Sequence, residues 1–280
     1  MLTFINAAVV DGSAPVASEP TNVTIEGGRI VGVDPRPPSG GDRIDLAGKT
    51  LMPGLIDCHV HVIATIANLG QNGELPGSLV ALRAARIMRA MLMRGFTAVR
   101  DLGGADIGLK MALAEGLIEG PRLVICGKAL SQTNGHTDYR GRFHSRGVDY
   151  YKDRLGFLGR VVDGVDAVRR ACREEIKDGA DFIKIMANGG VSSPTDPIAF
   201  FGFSRDETSA AVEEAESART YVAAHLYTDA AIRRAVECGV RSIEHGNLVT
   251  PETARLIVEK GAYVVPTNVT FEYLARDGAA

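Results

Sequence analysis

Short apolar, β-prone runs separated by glycine open the chain. Residues 4–10 form such a run and stop at Gly12. Residues 22–25 and 29–33 flank Glu26-Gly27-Gly28, a hairpin signal. A Pro/Gly-rich loop at 35–41 precedes two further runs, 43–46 and 50–52, which flank a turn at Ala47-Gly48-Lys49. Residues 1–54 therefore read as a small β subdomain.

After Gly54 the rhythm changes. Apolar strands are expected at 55–60, 97–100, 123–126, 182–186, 221–224, 241–244 and 263–265. Between them, helical patterns are expected at 79–94, 109–115, 165–177, 206–218, 230–237 and 251–260. Gly95, Gly179 and Gly239 stop three of these helices, and Pro251 opens the last. Strands alternating with helices predict βα units around a parallel sheet. Seven such strands favour an α/β fold of the (β/α)₈ TIM barrel type, incomplete over residues 55–280. No G-x-G-x-x-G follows a strand, which argues against a dinucleotide-binding fold. The stretch 129–160 is rich in Gly, Asp, Tyr and His, and a loop of that length is usually functional or disordered.

The composition, 45% hydrophobic and 23% charged over 280 residues, is ordinary for a globular protein. A formal net charge of −3 provides no basic field for nucleic acid or a membrane surface. A small molecule or dipeptide is the better-suited partner, and a homo-oligomer remains open. Cys58, Cys126, Cys172 and Cys238 form no C-x-x-C pair, so neither a zinc ribbon nor a disulfide framework is expected. Reduced, mostly buried thiols, with no basic n-region and no long apolar span, fit a cytoplasmic protein.

The chemistry is concentrated at strand ends. His59 and His61 close the first strand, and residues i and i+2 of a strand share a face roughly 6–7 Å apart. Lys184 lies inside the apolar Phe182-Ile183-Lys184-Ile185-Met186, where burial disfavours an ammonium. His225 ends the fifth strand and His245 the sixth. The other two of the six histidines, His136 and His144, fall in the long loop. A TIM barrel works at the C-terminal ends of its strands. Two imidazoles plus a further ligand can hold one divalent metal, and His225 with His245 can hold a second. Such a pair needs a bridging anion. A neutral lysine amine can capture carbon dioxide as a carbamate, which would supply the bridge at Lys184.

These residues resemble the amidohydrolase superfamily, in its imidazolonepropionase-like and prolidase-like (Xaa-Pro dipeptidase) branch. The resemblance rests on Pro53-Gly54-Leu55-Ile56-Asp57 before His59-Val60-His61, on Lys184 in Ile183-Lys184-Ile185-Met186, on Ala224-His225, and on Ile243-Glu244-His245-Gly246. It extends to Ala129-Leu130-Ser131-Gln132-Thr133 with His136, and to 185–191 leading to Ser193-Pro194-Thr195-Asp196-Pro197. It implies that residues 1–54 are the N-terminal part of a β-sandwich beside the barrel. It also implies that His59, His61, carboxylated Lys184, His225 and His245 bind two divalent ions, with zinc the first expectation. Cobalt and manganese accept the same ligand types. A metal-bridging hydroxide would cleave an amide C–N bond in Xaa-Pro dipeptides or N-acyl amino acids, with His136 and Tyr227 facing the substrate. A cyclic amide of the imidazolonepropionate type is the alternative substrate. A non-catalytic barrel scaffold is the alternative of another class.

One departure stands out. The family places a proton-shuttling aspartate at the end of strand eight. No aspartate here matches it, and Asp277 comes too early. The expectation is a piece of a protein of about 400 residues, lacking strand eight and the closing β segment, weakly stable and weakly active as an isolated chain. Asp101, ending strand two, is assigned to a structural salt bridge, and His144 has no role.

Overall fold

The computed structural model describes residues 1–191 and 195–277. The chain divides into two compact units, Met1–Leu55 and Ile56–Ala280.

In the first unit, β1 (Leu2–Val9), β2 (Thr21–Glu26) and β3 (Arg29–Asp34) form an antiparallel meander. Gly27 and Gly28 turn the hairpin with φ of 56° and 74°, the two left-handed positions that a tight two-residue turn requires. β4 (Asp42–Asp45) and β5 (Thr50–Leu51) both run parallel to β1, beside its first and second halves respectively. Asn6, at φ 57°, stands between those halves, where the β1–β2 register shifts. Asparagine tolerates the left-handed region, and such a bulge lets one strand bend and serve two partners. The strands form a five-stranded sheet where the resemblance implies a β-sandwich.

The barrel-type elements follow in order. They are β6 (Leu55–Val60), α1 (Leu69–Glu74), α2 (Gly77–Met93), β7 (Phe96–Asp101), α3 (Ile107–Ala114), β8 (Arg122–Ile125), β9 (Ala129–Ser131), a 3₁₀ turn (Val148–Tyr151), β10 (Gly159–Val161), α4 (Val165–Lys177), β11 (Ile183–Met186), α5 (Arg205–Ser217), β12 (Val222–Thr228), α6 (Asp229–Glu237), β13 (Ser242–Leu248), α7 (Pro251–Glu259), β14 (Tyr263–Val265) and α8 (Asn268–Asp277). One sheet has the order β6-β7-β8, and a second has the order β10-β9-β11-β12-β13-β14. The second is parallel throughout. An N–H bond from Asp181 to the Ile125 carbonyl, 2.7 Å, ties the end of β8 to the approach to β11. β6, β7, β8, β11, β12, β13 and β14 are the seven expected strands of an incomplete TIM barrel.

Burial explains the sequence pattern. All four residues of β11 are buried, as are the first six of β12, so these strands read as continuous apolar runs rather than alternating ones. Helices α4 to α7 close over them with an aliphatic layer that includes Val168, Cys172, Ala211, Ile232 and Ile257. Ser204 and Glu207 form a reciprocal capping box that starts α5.

The long loop at 129–160 is neither unpaired nor structureless. It begins and ends in strands, β9 and β10, that pair in parallel. Three residues each are too few to show a period. Helix α1 also escaped the pattern, because two of its six residues are glycine. The fold needs one of them, since a Cβ at Gly73 would run into the Phe157 ring. Cys126 and Cys172 are buried, Cys238 is partly buried and Cys58 is exposed, all as free thiols. Among the described residues no helix is long and apolar enough to cross a membrane.

Candidate metal centre

A cavity of about 360 Å³ is lined by His59, His61, His136, Lys184, His225, Tyr227 and His245 together, with Leu69, Met186, Val191, Thr267 and Phe271 among its other walls. Five of the six histidines thus meet in one place. The ring centroids of His59 lie 5.4 Å from His61 and 4.8 Å from His245, and His245 lies 4.8 Å from His225.

Each ring is held from behind. His59 Nδ1 is 2.8 Å from Glu244 Oε2, and His61 Nδ1 is 3.1 Å from the Gly103 carbonyl. His225 Nε2 is 3.2 Å from the Gly189 carbonyl, and His245 Nδ1 is 2.7 Å from Thr267 Oγ1. Burial pushes His61 down to about 3 and His225 well below the ordinary range, so both rings are neutral near pH 7. Burial also outweighs the Glu244 hydrogen bond at His59, so that contact is a hydrogen bond to a carboxylate rather than an ion pair. Carbonyl and carboxylate oxygens only accept. His59 and His61 must therefore carry their proton on Nδ1 and leave Nε2 as a lone pair, and His225 is the reverse. A second-sphere acceptor fixes a ligand's tautomer in this way in metal sites.

β13 places two consecutive side chains at the site, which a regular strand cannot do. Ser242 and Glu244 share one face. His245 would point away from it, but its φ of 74° turns it into the cavity, and Gly246 at φ 65° continues the turn. A left-handed non-glycine residue is a strained conformation of the kind found at functional sites. Residues His225 and His245 were expected at strand ends, but both strands run about three residues further, so both histidines sit inside them.

Lys184 is 1% exposed. It makes no hydrogen bond or ion pair among the described residues. Burial lowers it to about 8, partly countered by the Glu244 carboxylate. Glu244 itself is fully buried and accepts from Arg100 Nη2 at 2.7 Å and from Ser242 Oγ at 2.6 Å. Burial pushes its carboxyl up, but the His59 bond and the Lys184 and Arg100 charges outweigh this and hold it at about 2.

His136 stacks on His225, with centroids 4.1 Å apart and planes 19° from parallel, and burial lowers it to about 4. Tyr227 stacks on His245 at 5.0 Å. Its strand is pinned by Asn188, whose Oδ1 accepts the N–H groups of Tyr227 and Thr228, both at 2.8 Å. Sequence reading missed Glu244, Arg100 and Asn188 as parts of the site. Their roles depend on partners 39 or more residues away. Ser193 and Pro194, within a stretch that carried the resemblance, lie outside the described residues.

One expectation needs revision. Asp101 is structural, but not through a salt bridge. Among the described residues its carboxylate accepts the N–H groups of Val62, Gly103 and Ala105 at 2.7, 3.0 and 3.3 Å. Burial raises it to about 7 against those three bonds. His144 is exposed and away from the cavity, where its Nδ1 accepts the Arg146 N–H.

Comparison with known proteins places this geometry. The sequence model of the amidohydrolase family matches residues 50–280. The chain belongs to the amidohydrolase family. Among solved structures, a prolidase complexed with N-methylphosphonate-L-proline superposes with a TM-score of 0.96 at 54% identity, over 99% of this chain and 69% of that one. A Xaa-Pro dipeptidase with bound methionine in its active site gives 0.83 at 31% identity, over 99% and 69%. Ochratoxinase of Aspergillus niger is 36% identical over 81% of this chain. The chain spans about half the length of the curated relatives it matches, 50% for ochratoxinase.

Amidohydrolases are typically metal-dependent, and the donor chemistry here suits a divalent ion. The imidazoles are neutral, two have a lone-pair Nε2, and a buried amine has no hydrogen-bond partner among the described residues. The histidines do not close a site unaided. Among the described residues no three His, Cys, Asp or Glu side chains stand at chelating spacing.

Proposed function

We propose that the protein is a metal-dependent amidohydrolase that cleaves the amide C–N bond of Xaa-Pro dipeptides or related N-acyl amino acids. The observation that carries this reading is Lys184, an amine buried without a hydrogen-bond partner among the described residues, beside neutral histidines. Burying an unpaired ammonium costs several kcal/mol, so the site must either neutralise the amine or change it. As a carbamate, Lys184 would supply the oxygen ligands that the histidines lack. His59, His61, His225 and His245 would hold the divalent ions together with the modified Lys184. When bound, a pair of divalent ions polarises a carbonyl and activates water.

The chain's own residues do the rest. The Gly103 carbonyl and Glu244 keep Nε2 of His61 and His59 unprotonated, and the Gly189 carbonyl does the same for Nδ1 of His225. Leu69, Met186, Val191 and Phe271 give the cavity an apolar wall suited to a side chain or a prolyl ring. Tyr227, whose hydroxyl has no hydrogen-bond partner among the described residues, offers a polar group to substrate, and His136 a second. No described aspartate lines the cavity, so the proton shuttle is not assigned to a residue of this chain. The bound prolyl analogue of the similar prolidase supports the substrate class.

The test is metal analysis of the purified protein, followed by assay against a panel of Xaa-Pro dipeptides and N-acyl amino acids. Two equivalents of metal and turnover on that panel are expected. Metal-free protein that takes up no zinc, cobalt or manganese would remove the proposal.

A further inference from the structure

Glu244 contacts His59 Nδ1 at 2.8 Å without lining the cavity, and the mechanism above gives it only a passing part. Its surroundings are unusually complete. Arg100 approaches Oε1 and is itself clamped, with Nε on the Cys58 carbonyl at 2.8 Å, Nη1 on the Tyr221 hydroxyl at 3.2 Å, and its guanidinium 5.4 Å from the Phe182 ring centroid. Ser242 donates to the same oxygen. Among the described residues the second oxygen, Oε2, has His59 as its hydrogen-bond partner.

We infer that Glu244 is a positioning residue that locks His59 in its Nδ1–H tautomer and leaves Nε2 as the only lone-pair nitrogen of that ring. Arginine is a permanent cation with no acceptor, so its fork fixes which carboxylate oxygen faces which neighbour. The remaining oxygen can only accept, and a neutral imidazole can then approach it only through N–H. The φ of 74° at His245 completes the design. It lets β13 hold His59 from behind through Glu244 while presenting His245 to the same cavity, ring centroids 4.8 Å apart. The inference deepens the metal reading and rests on it in one respect, that the exposed lone pair is the atom offered to metal.

The tautomer can be read without metal, from the ¹⁵N shifts of imidazole-labelled full-length protein. Wild-type His59 is expected as a single Nδ1–H form. In Glu244→Gln, Arg100 holds the amide oxygen, so the amide NH₂ turns to His59 and drives it to the Nε2–H form. His61, anchored on a carbonyl, stays as it was. Zinc affinity of the variant should fall about tenfold to a hundredfold, the usual effect of losing a second-sphere partner. Because Glu244→Gln leaves Arg100 as a buried unpaired cation, the Arg100→Met/Glu244→Gln double variant serves if the single one fails to fold. It should show a mixture of both tautomers. A His59 tautomer unchanged in whichever variant folds would overturn the inference, since a purely structural ion pair would alter stability alone. Wild-type protein with the expected tautomer but no zinc uptake would instead overturn the metal reading, while the tautomer result stood.

Discussion

Burial lowers two lysines of this protein, Lys128 and Lys184, to about 8, yet they are put to opposite uses. Lys128 lines the larger cavity, about 500 Å³, between the start of α3 and the end of α4. Its Nζ donates to the carbonyls of Arg154 and Phe157 at 2.7 and 2.6 Å, tying down the long loop. Around it, Arg160 pairs with Glu174 and Glu175, and Lys152 pairs with Glu174. Every charge named there has a protein partner. Lys184 lines the smaller cavity of about 360 Å³ and has no such partner among the described residues. Neither volume nor a depressed lysine marks the site. What sets Lys184 apart is that its amine, without a hydrogen-bond partner among the described residues, belongs to the cavity that five histidines line.

Replacing each lysine by methionine should separate the two roles. Lys184→Met should lose at least one of two metal equivalents by elemental analysis, and turnover on Xaa-Pro substrates should fall roughly a thousandfold or more, as a lost metal-activated nucleophile implies. The metal-free variant should be at least as stable as wild type in urea, since the substitution removes an unpaired buried ammonium. Lys128→Met should behave in the opposite way. It strands two carbonyls and should cost about 2–4 kcal/mol, with metal content unchanged. Unchanged turnover in Lys184→Met would remove the mechanism.

The stack of His136 on His225 offers a finer test of the site. A Cβ at Gly190 would fall on the His136 ring, so Gly190→Ala should displace that ring and leave the metal ligands in place. If His136 meets substrate, KM should rise roughly tenfold to a hundredfold, in keeping with the cost of misplacing a positioning group. Retained metal content confirms that the effect is confined to substrate. An unchanged KM would return His136 to the role of packing.

Much of this contrast was legible in the sequence, and the rest was not for identifiable reasons. A lysine inside Ile183-Lys184-Ile185-Met186 announces itself, because no solvent-facing position exists in a strand buried on both faces. The His59-Val60-His61 spacing announces itself through the two-residue strand period. Lys128 stands beside a glycine at a loop entry, where its desolvation leaves no periodic trace. Glu244 was visible only as the neighbour of a histidine. Its function depends on a left-handed residue at His245, and non-glycine residues do not advertise positive φ. Asp101 was rightly read as structural, but backbone N–H groups carry no sequence signature, so a cation was the partner sequence alone could suggest. The βα alternation survived almost intact, because each strand and helix of ordinary length carries its own period. The pieces that were missed are β9, β10, α1 and the 3₁₀ turn, of three to six residues each, and the ten-residue α8 at Asn268–Asp277.

The two lysines also predict an alkaline stability profile. Both bind fewer protons folded than unfolded between about 8 and the ordinary 10.5. The unfolded chain holds the extra protons there, so stability of the metal-free protein should rise with pH across that window, by at most about 1.4 kcal/mol per pH unit for each lysine. Lys184→Met and Lys128→Met should each remove part of that slope. Asp101 acts in the opposite sense at lower pH. Its pKa is raised from 3.8 to about 7, so its contribution is full below the lower value and is lost as pH rises through the upper one. Urea midpoints measured from pH 4 to pH 10.5 would show both limbs, and a flat alkaline limb would mean that neither lysine titrates as its burial demands.

The smallest effect is expected at Tyr227, where it is also the most discriminating. The residue is 4% exposed, its ring stacks on His245, and its backbone is pinned by Asn188. Only its hydroxyl lacks a protein partner among the described residues, which makes it a milder version of Lys184. Tyr227→Phe keeps the ring and the stack and removes that one unpartnered group. Thermal stability should stay the same or rise by up to about 1 kcal/mol, because a hydroxyl buried without a bond is a cost. If substrate supplies the missing partner, KM for Xaa-Pro dipeptides should rise severalfold with kcat nearly unchanged, the signature of lost uniform binding. A drop in stability with unchanged KM would mean that Tyr227 resembles Lys128 rather than Lys184, with its polar atom already committed to holding the fold.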